Sequence, residues 1–256
     1  MITAGVDIGS VAAKAVIVDR DTNTIIGHAV LPTGWNPRQA FTDCLGAAAK
    51  RAGVAISAIH KANAVTATGY GRVMLKNETS VLSEITCHAA GARFHFPEAD
   101  GVVDIGGQDS KAIRFSPDGA VEDFVMNDKC AAGTGRFIQM TATILGMDLN
   151  AFSAAAAKGK PAAISSMCAV FAESEIVGLL ARETPPQDIA AGVVLSIAER
   201  TAGMSRRLAL RGPCVFSGGL AASCAMADRL SFVLGRKVLV PPQPQLTGAL
   251  GAALLT

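Results

Sequence analysis

Chemistry-bearing residues in this chain are gathered into a few short runs. Asn127-Asp128-Lys129-Cys130-Ala131-Ala132-Gly133-Thr134-Gly135-Arg136-Phe137 sets a cysteine directly before a small, glycine-rich segment that runs into an apolar helical pattern. The pattern predicts a helix over about 132–146, which would place the thiol at a helix N-terminus. Unsatisfied N–H groups and the helix dipole favour negative charge there. A thiol so placed ionises more readily and suits a nucleophile or a metal ligand. The competing reading is a buried small hydrophobe, because an unpaired cysteine is among the most buried residue types. Ser166-Met167-Cys168-Ala169-Val170-Phe171-Ala172-Glu173-Ser174-Glu175 has the same arrangement, a cysteine before an apolar helical pattern. Glu173 and Glu175 follow on that predicted helix, either as a solvated acidic face or with a role of their own.

A second kind of chemistry is written twice. Asp7-Ile8-Gly9-Ser10 and Asp104-Ile105-Gly106-Gly107-Gln108 each put a carboxylate at the end of an apolar strand pattern, followed by backbone without bulk. Such glycines let main-chain N–H groups approach phosphate oxygens, and the aspartates can hold Mg²⁺ directly or through water. Asp7 and Asp104 are therefore the candidate catalytic residues, with Gly9, Ser10, Gly106, Gly107 and Gln108 as the phosphate cradle. Lys14 and Lys111 each follow their aspartate by the same interval. They are suited either to neutralising phosphate charge or to a solvated hairpin surface. Ser217-Gly218-Gly219 is a third glycine turn after a strand pattern, suited to packing on a nucleoside. The Gly-Lys-Ser/Thr signature of a P-loop does not occur.

The elements that position these residues form a repeat. Strands over 2–9, 15–19 and 25–31 make a meander with turn chemistry at Asp21-Thr22-Asn23, and 101–110, 111–115 and 120–126 repeat it with Ser116-Pro117-Asp118-Gly119 as the turn. Two similar domains facing each other are expected. The first would span 1–97, with the C-terminal helix at about 247–256 packing back on it, and the second 98–256. Asn36-Pro37 opens a helix through about Ala52, Asn as cap and Pro at the first helical position. Residues 62–71 read as a further strand and 80–93 as a helix. Helices are expected at 169–182, 186–210, 223–234 and from Gly248, with strands at 214–217 and 237–240.

Composition excludes several classes. The 256 residues are 50% hydrophobic and 17% charged, with net charge +2 and 5% aromatic. That balance supports neither a nucleic-acid partner nor an anionic membrane partner. No signal peptide or membrane-spanning run is read, so a cytoplasmic location is expected. Six cysteines (44, 87, 130, 168, 214, 224) are scattered without CxxC spacing, which argues against a disulfide framework. Cys44 and Cys214 fall in helix and strand patterns and read as core; Cys224, like them and Cys87, is read as lacking the helix-start placement. Histidines 28, 60 and 95 read as single residues in strands or loops and His88 as helical, all structural.

The three glycine turns resemble the phosphate-1, phosphate-2 and adenosine motifs of the actin, Hsp70 and sugar-kinase ATPase superfamily. That resemblance implies an α/β fold of two duplicated ribonuclease-H-like (actin-like ATPase) domains with a nucleotide cleft between them. The two cysteine runs, with 103–111, Thr68-Gly69-Tyr70-Gly71-Arg72 and Glu84-Ile85-Thr86-Cys87-His88-Ala89, narrow it to the 2-hydroxyacyl-CoA dehydratase activator family, related to the ATP-binding subunits of benzoyl-CoA reductase. The resemblance spans essentially the whole chain. It implies Cys130 and Cys168 as ligands of a [4Fe–4S] cluster. Two thiols per chain against four cluster ligands then imply one cluster per homodimer. It also implies ATP/ADP and Mg²⁺ at the turns, a ferredoxin or flavodoxin as electron donor, and an iron–sulfur acyl-CoA dehydratase or reductase as acceptor. Two departures stand out. Val11-Ala12-Ala13 follows Ser10 where the family more often has hydroxyl residues, and Gln139 stands where an acidic residue is common. A small-molecule kinase and a non-redox, ATP-switched regulatory protein of the same superfamily remain as alternatives.

Overall fold

The computed structural model describes residues 1–61, 64–165 and 169–256. The first half of the chain runs β1 (Ile2–Ile8), β2 (Ala12–Asp19), β3 (Thr24–Pro32), α1 (Pro37–Ala52), α2 (Ile56–Lys61), β4 (Val65–Thr68), β5 (Ser80–Val81) and α3 (Glu84–His95). The second half runs β6 (Gly101–Ile105), β7 (Ser110–Phe115), β8 (Val121–Asn127), α4 (Gly135–Ile144), α5 (Leu149–Lys158), α6 (Ala169–Ala181), α7 (Pro186–Arg207), β9 (Cys214–Ser217), α8 (Cys224–Leu234), β10 (Val238–Leu239) and α9 (Thr247–Leu254). Two compact units result. One comprises 1–99, 115–122 and 241–256, and the other 100–114 and 123–240. Among the described residues no helix is long and apolar enough to cross a membrane.

The first unit is built on a five-stranded sheet of order β3-β2-β1-β4-β5. Side chains alternate between its faces, as the two-residue strand period requires. Ala15 and Ile17 of β2 pack with Phe41, Leu45 and Ala48 of α1, while Val16 and Val18 pack with Ala249, Leu250 and Ala253 of α9. α1 starts where expected. Asn36 accepts from the Gln39 N–H, Pro37 is the first helical residue, and Gly53 closes the helix at φ 66°. α9 lies very close to β1, since a Cβ on Gly5 would stand 2.0 Å from the Ala249 carbonyl oxygen. Only small residues allow that approach, hence the Ala/Gly sequence of the helix.

The second unit repeats the plan with order β10-β9-β6-β7-β8. β6 pairs antiparallel with β7 and parallel with β9, just as β1 pairs with β2 and β4. Its core joins Val103, Ile105 and Phe216 of the sheet to Phe137, Ile176, Ile189, Val193, Ile197 and Met226 of the helices.

Several sequence expectations are revised. The strand read at 62–71 is limited to Val65–Thr68, with Ala62 and Asn63 outside the described residues. The helix read at 80–93 is a two-residue strand followed by α3, because Ser83 caps the helix by accepting from the Thr86 N–H. α2 and α5 have no counterpart among the expected helices. His95 ends α3 and His60 lies in α2, rather than in strands or loops. The helix read from 132 begins at Gly135, behind a 3-10 turn over Ala131–Gly133.

Candidate functional site

In the first unit, antiparallel register sets Lys14 directly opposite Asp7. The Lys14 Nζ lies 3.1 Å from Asp7 Oδ2. The strand ends in a tight turn, with the Gly9 N–H donating to the Ala12 carbonyl at 3.1 Å and the Thr33 hydroxyl donating to the Gly9 carbonyl at 2.7 Å. A Cβ on Gly9 would meet the Lys14 Nζ at 2.8 Å. On the other side, β4 sets Thr68 beside Asp7, and Gly69 follows at φ 89°. A side chain on Gly69 would stand 2.3 Å from Asp7 Oδ1, so backbone passes right over the carboxylate.

The second unit makes the same construction more tightly. Lys111 stands opposite Asp104. It lies 3.3 Å from Asp104 Oδ2 and 2.6 Å from Asp109 Oδ2, with its side chain 2% exposed. Ser217, beside Asp104 on β9, donates its hydroxyl to Asp104 Oδ1 at 2.8 Å. Gly218 has φ 91°, and its Cβ would lie 2.3 Å from the Ile105 carbonyl oxygen. Gly106 closes its turn by donating to the Asp109 carbonyl at 2.9 Å. Ser10, Gly9, Gly106 and Gly107 are half-buried, Gln108 and Gly219 exposed. Neither lysine is solvated hairpin surface; each neutralises the aspartate on the adjacent strand.

The thiol run is fastened to this second turn. Cys130 is half-buried and caps the 3-10 turn, so the expected α-helix N-terminus is displaced from it. Its backbone is gripped from both sides by one amide: the Cys130 N–H donates to Asn127 Oδ1 at 3.2 Å, and Asn127 Nδ2 donates to the Cys130 carbonyl at 2.9 Å. After the turn, the first two N–H groups of α4 find partners in the phosphate-2 turn. Gly135 donates to the Gly106 carbonyl and Arg136 to the Gly107 carbonyl, both at 2.9 Å. These are donors that a helix start otherwise leaves unsatisfied.

Cys168 lies outside the described residues, and α6 begins at Ala169. Glu175 of α6 accepts from the Ser165 N–H at 2.8 Å and from its hydroxyl at 2.7 Å, so this carboxylate is not merely a solvated face. Cys44, Cys87 and Cys214 are buried, and desolvation pushes their thiols up to about 11, 11 and 12. Such thiols stay protonated and make poor ligands. Cys224 departs from its expected placement, being exposed at the first position of α8. Among the described residues no three His, Cys, Asp or Glu side chains gather as a metal cage.

Several of these contacts were not singled out from sequence: Thr68-Gly69 as the counterpart of Ser217-Gly218, Asp109 as a second acid on Lys111, and the grip of Asn127 on Cys130. Only the first carried a usable signal, a hydroxyl residue and glycine after a strand in both copies.

Residues 4–256 match the model of the BadF/BadG/BcrA/BcrD ATPase family. The chain belongs to that family. The activator of lactoyl-CoA dehydratase from Anaerotignum propionicum is 40% identical over 99% of this chain and 96% of its own. Among solved structures, component A of the (R)-2-hydroxyglutaryl-CoA dehydratase of Acidaminococcus fermentans superposes with a TM-score of 0.93 at 37% identity, covering 100% of this chain and 97% of that one. The activator of the 2-hydroxyisocaproyl-CoA dehydratase from Clostridium difficile, solved with bound ADPNP, gives 0.91 at 36% identity, covering 100% and 94%. The BadF/BadG/BcrA/BcrD fold, an actin-like ATPase fold, accounts for the two like-ordered sheets.

Proposed function

We propose that this BadF/BadG/BcrA/BcrD family member is an ATP-driven activator that delivers a low-potential electron to an acyl-CoA dehydratase or a related reductase. The observation that carries the reading is the pair of hydrogen bonds joining α4 to the phosphate-2 turn, Gly135 to Gly106 and Arg136 to Gly107. Through them the segment that follows Cys130 is part of the same hydrogen-bonded piece as the candidate phosphate cradle. The similarity to dehydratase activators, one solved with ADPNP, supports the reading.

In this reading Gly9, Ser10, Gly106, Gly107 and Gln108 face the phosphates, and Gly218 and Gly219 flank the adenosine. Asp7 and Asp104 fit Mg²⁺, being hard carboxylate donors bordered by glycine backbone. They orient the attacking water. Its oxygen bonds to the γ-phosphorus, the bridging bond to ADP breaks, and the released proton passes to solvent. Lys14 and Lys111 hold the two carboxylates in place. Contacts to the γ-phosphate exist in only one of the two nucleotide states, which gives the turn two positions and lets α4 follow it.

Cys130 fits a cluster ligand, because it is accessible while its backbone is fixed by Asn127. With Cys168 and the same pair from a second copy, it would hold one [4Fe–4S] cluster, which supplies a one-electron carrier. The donor is a ferredoxin or flavodoxin, the acceptor an iron–sulfur enzyme, and the compartment the cytoplasm. The kinase and non-redox regulator readings leave the grip of Asn127 on Cys130 without a use.

The deciding experiment is anaerobic purification with iron and sulfide analysis. Brown protein with about four irons per dimer is expected, and Cys130→Ser should lose the iron while keeping ADP binding. Protein that stays colourless after anaerobic reconstitution rules the activator reading out.

A further inference from the structure

Asp7 and Asp104 occupy matching places in the repeat but are held differently. At Asp104 the hydroxyl of Ser217 donates to the carboxylate. Thr68 stands at the matching register position beside Asp7, but its hydroxyl donates instead to the Leu82 carbonyl at 3.1 Å. Besides Lys14 at 3.1 Å, the side chain that reaches the neighbourhood of Asp7 is His88 of α3. A Cβ on Gly248 would lie 2.9 Å from His88 Nε2 and 3.2 Å from Asp7 Oδ2. Ring and carboxylate thus border one point, and both residues are 5% exposed.

The surrounding packing is arranged for that approach. α3 and α9 meet through glycines. A Cβ on Gly91 would stand 2.0 Å from the Thr247 carbonyl oxygen, and one on Gly251 1.7 Å from that of Cys87. Gly248 sits within α9, where glycine is less favourable than alanine. An alanine methyl there would be forced against the His88 ring and into contact with Asp7. A buried imidazole is also a polar group withdrawn from water, which is unfavourable unless its nitrogens are used.

We infer that His88 is a positioning residue for Asp7. Across the space kept clear by Gly248, its ring fixes the orientation of the Asp7 carboxylate for ATP hydrolysis, the part Ser217 plays at Asp104. The inference rests on the reading of Asp7 as the hydrolytic carboxylate. His88 acts through Asp7, so its loss should lower kcat with little effect on nucleotide binding.

Steady-state ATP hydrolysis and ADP titration on the anaerobically prepared full chain test this with four variants. His88→Leu and Gly248→Ala should each lower kcat by about tenfold or more, with KM for ATP and Kd for ADP within about threefold of the unmodified protein. His88→Gln, whose amide nitrogen can reach the same point, should stay within about threefold in kcat. Unmodified kcat in either His88→Leu or Gly248→Ala, or a His88→Gln defect as deep as that of His88→Leu, overturns the inference. If His88→Leu does not fold, Gly248→Ala and His88→Gln decide it by the same criteria. Asp7→Asn separates the two levels. Full turnover in that variant overturns the role of Asp7 and with it that of His88. An inactive Asp7→Asn beside fully active His88→Leu and Gly248→Ala sinks the His88 inference alone.

Discussion

Replacing Lys111 with methionine tests whether the two halves of the repeat are energetically alike. Methionine keeps the apolar stem and removes the ammonium from a side chain that is only 2% exposed. Asp104 at 3.3 Å and Asp109 at 2.6 Å then lose their common counter-charge. Breaking a buried pair from one side costs about 3–5 kcal/mol, because a charge is left without compensation. For a chain of this length each kcal/mol moves the melting midpoint by about 2–4 °C, so a fall of about 6–20 °C is expected. The equivalent Lys14→Met removes an ammonium whose side chain is 19% exposed. Water can replace part of what is lost, and a cost of about 1–2 kcal/mol follows, between the exposed and buried limits. Adding Asp104→Asn to Lys111→Met should recover about 1–2 kcal/mol, since a carboxamide needs no counter-charge. Scanning calorimetry under anaerobic conditions reads all three. A Lys111→Met midpoint within about 2 °C of the unmodified protein, or a larger fall for Lys14→Met, would refute this assignment of the buried charge.

Three further outcomes follow from the same geometry. Asn127→Ala removes both hydrogen bonds on the Cys130 backbone and should reduce the iron retained after anaerobic reconstitution while ADP affinity, measured by titration, is unchanged. Gly218→Ala places a side chain at φ 91° and 2.3 Å from a carbonyl oxygen and should cost about 1–3 kcal/mol or more in urea unfolding, whereas Gly219→Ala, whose methyl meets open space, should cost under about 1 kcal/mol. Burial raises the Cys44, Cys87 and Cys214 thiols from the ordinary 9.0 to about 11, 11 and 12. The folded chain therefore holds these protons more tightly than the unfolded chain, and their contribution to stability is intact below pH 9 and lost as pH rises to about 11–12. Urea midpoints across that range should fall with pH, and a flat profile would contradict the burial of these thiols.

Much of the first unit was legible because local rules and tertiary packing agree there. Asn36-Pro37 fixed the start of α1 through capping chemistry that needs no distant partner. The Asp-Ile-Gly turns and their lysines were visible as one spacing written twice, whereas the antiparallel register is what puts Lys14 opposite Asp7 and Lys111 opposite Asp104. The third turn of each copy was harder to match. Gly69 and Gly218 share the same backbone conformation, but α4, α5, α6 and α7 lie between β8 and β9 where only α1 and α2 lie between β3 and β4, so no fixed spacing links them to their aspartates. The displaced start of α4 had a different cause. The sequence Ala131-Ala132-Gly133 fits a helix locally, yet the first N–H groups of α4 are used by the carbonyls of Gly106 and Gly107. Helix geometry can then begin only at Gly135.

By itself the sequence determined the chemistry on offer: two carboxylate turns written in repeat, a cysteine set directly before a glycine-rich run, and no basic or aromatic stripe for nucleic acid. These depend on residue identity and short spacing, which a chain displays without folding. Tertiary structure decided which groups share an environment. It buried Lys111 between two acids and left Lys14 nearer water, turned Thr68 away from Asp7 while aiming Ser217 at Asp104, and brought His88 to Asp7 over a glycine from the far end of the chain. The last of these depends on how closely α3, α9 and β1 can pack, a distance set by many side chains together and carried by no single stretch of sequence.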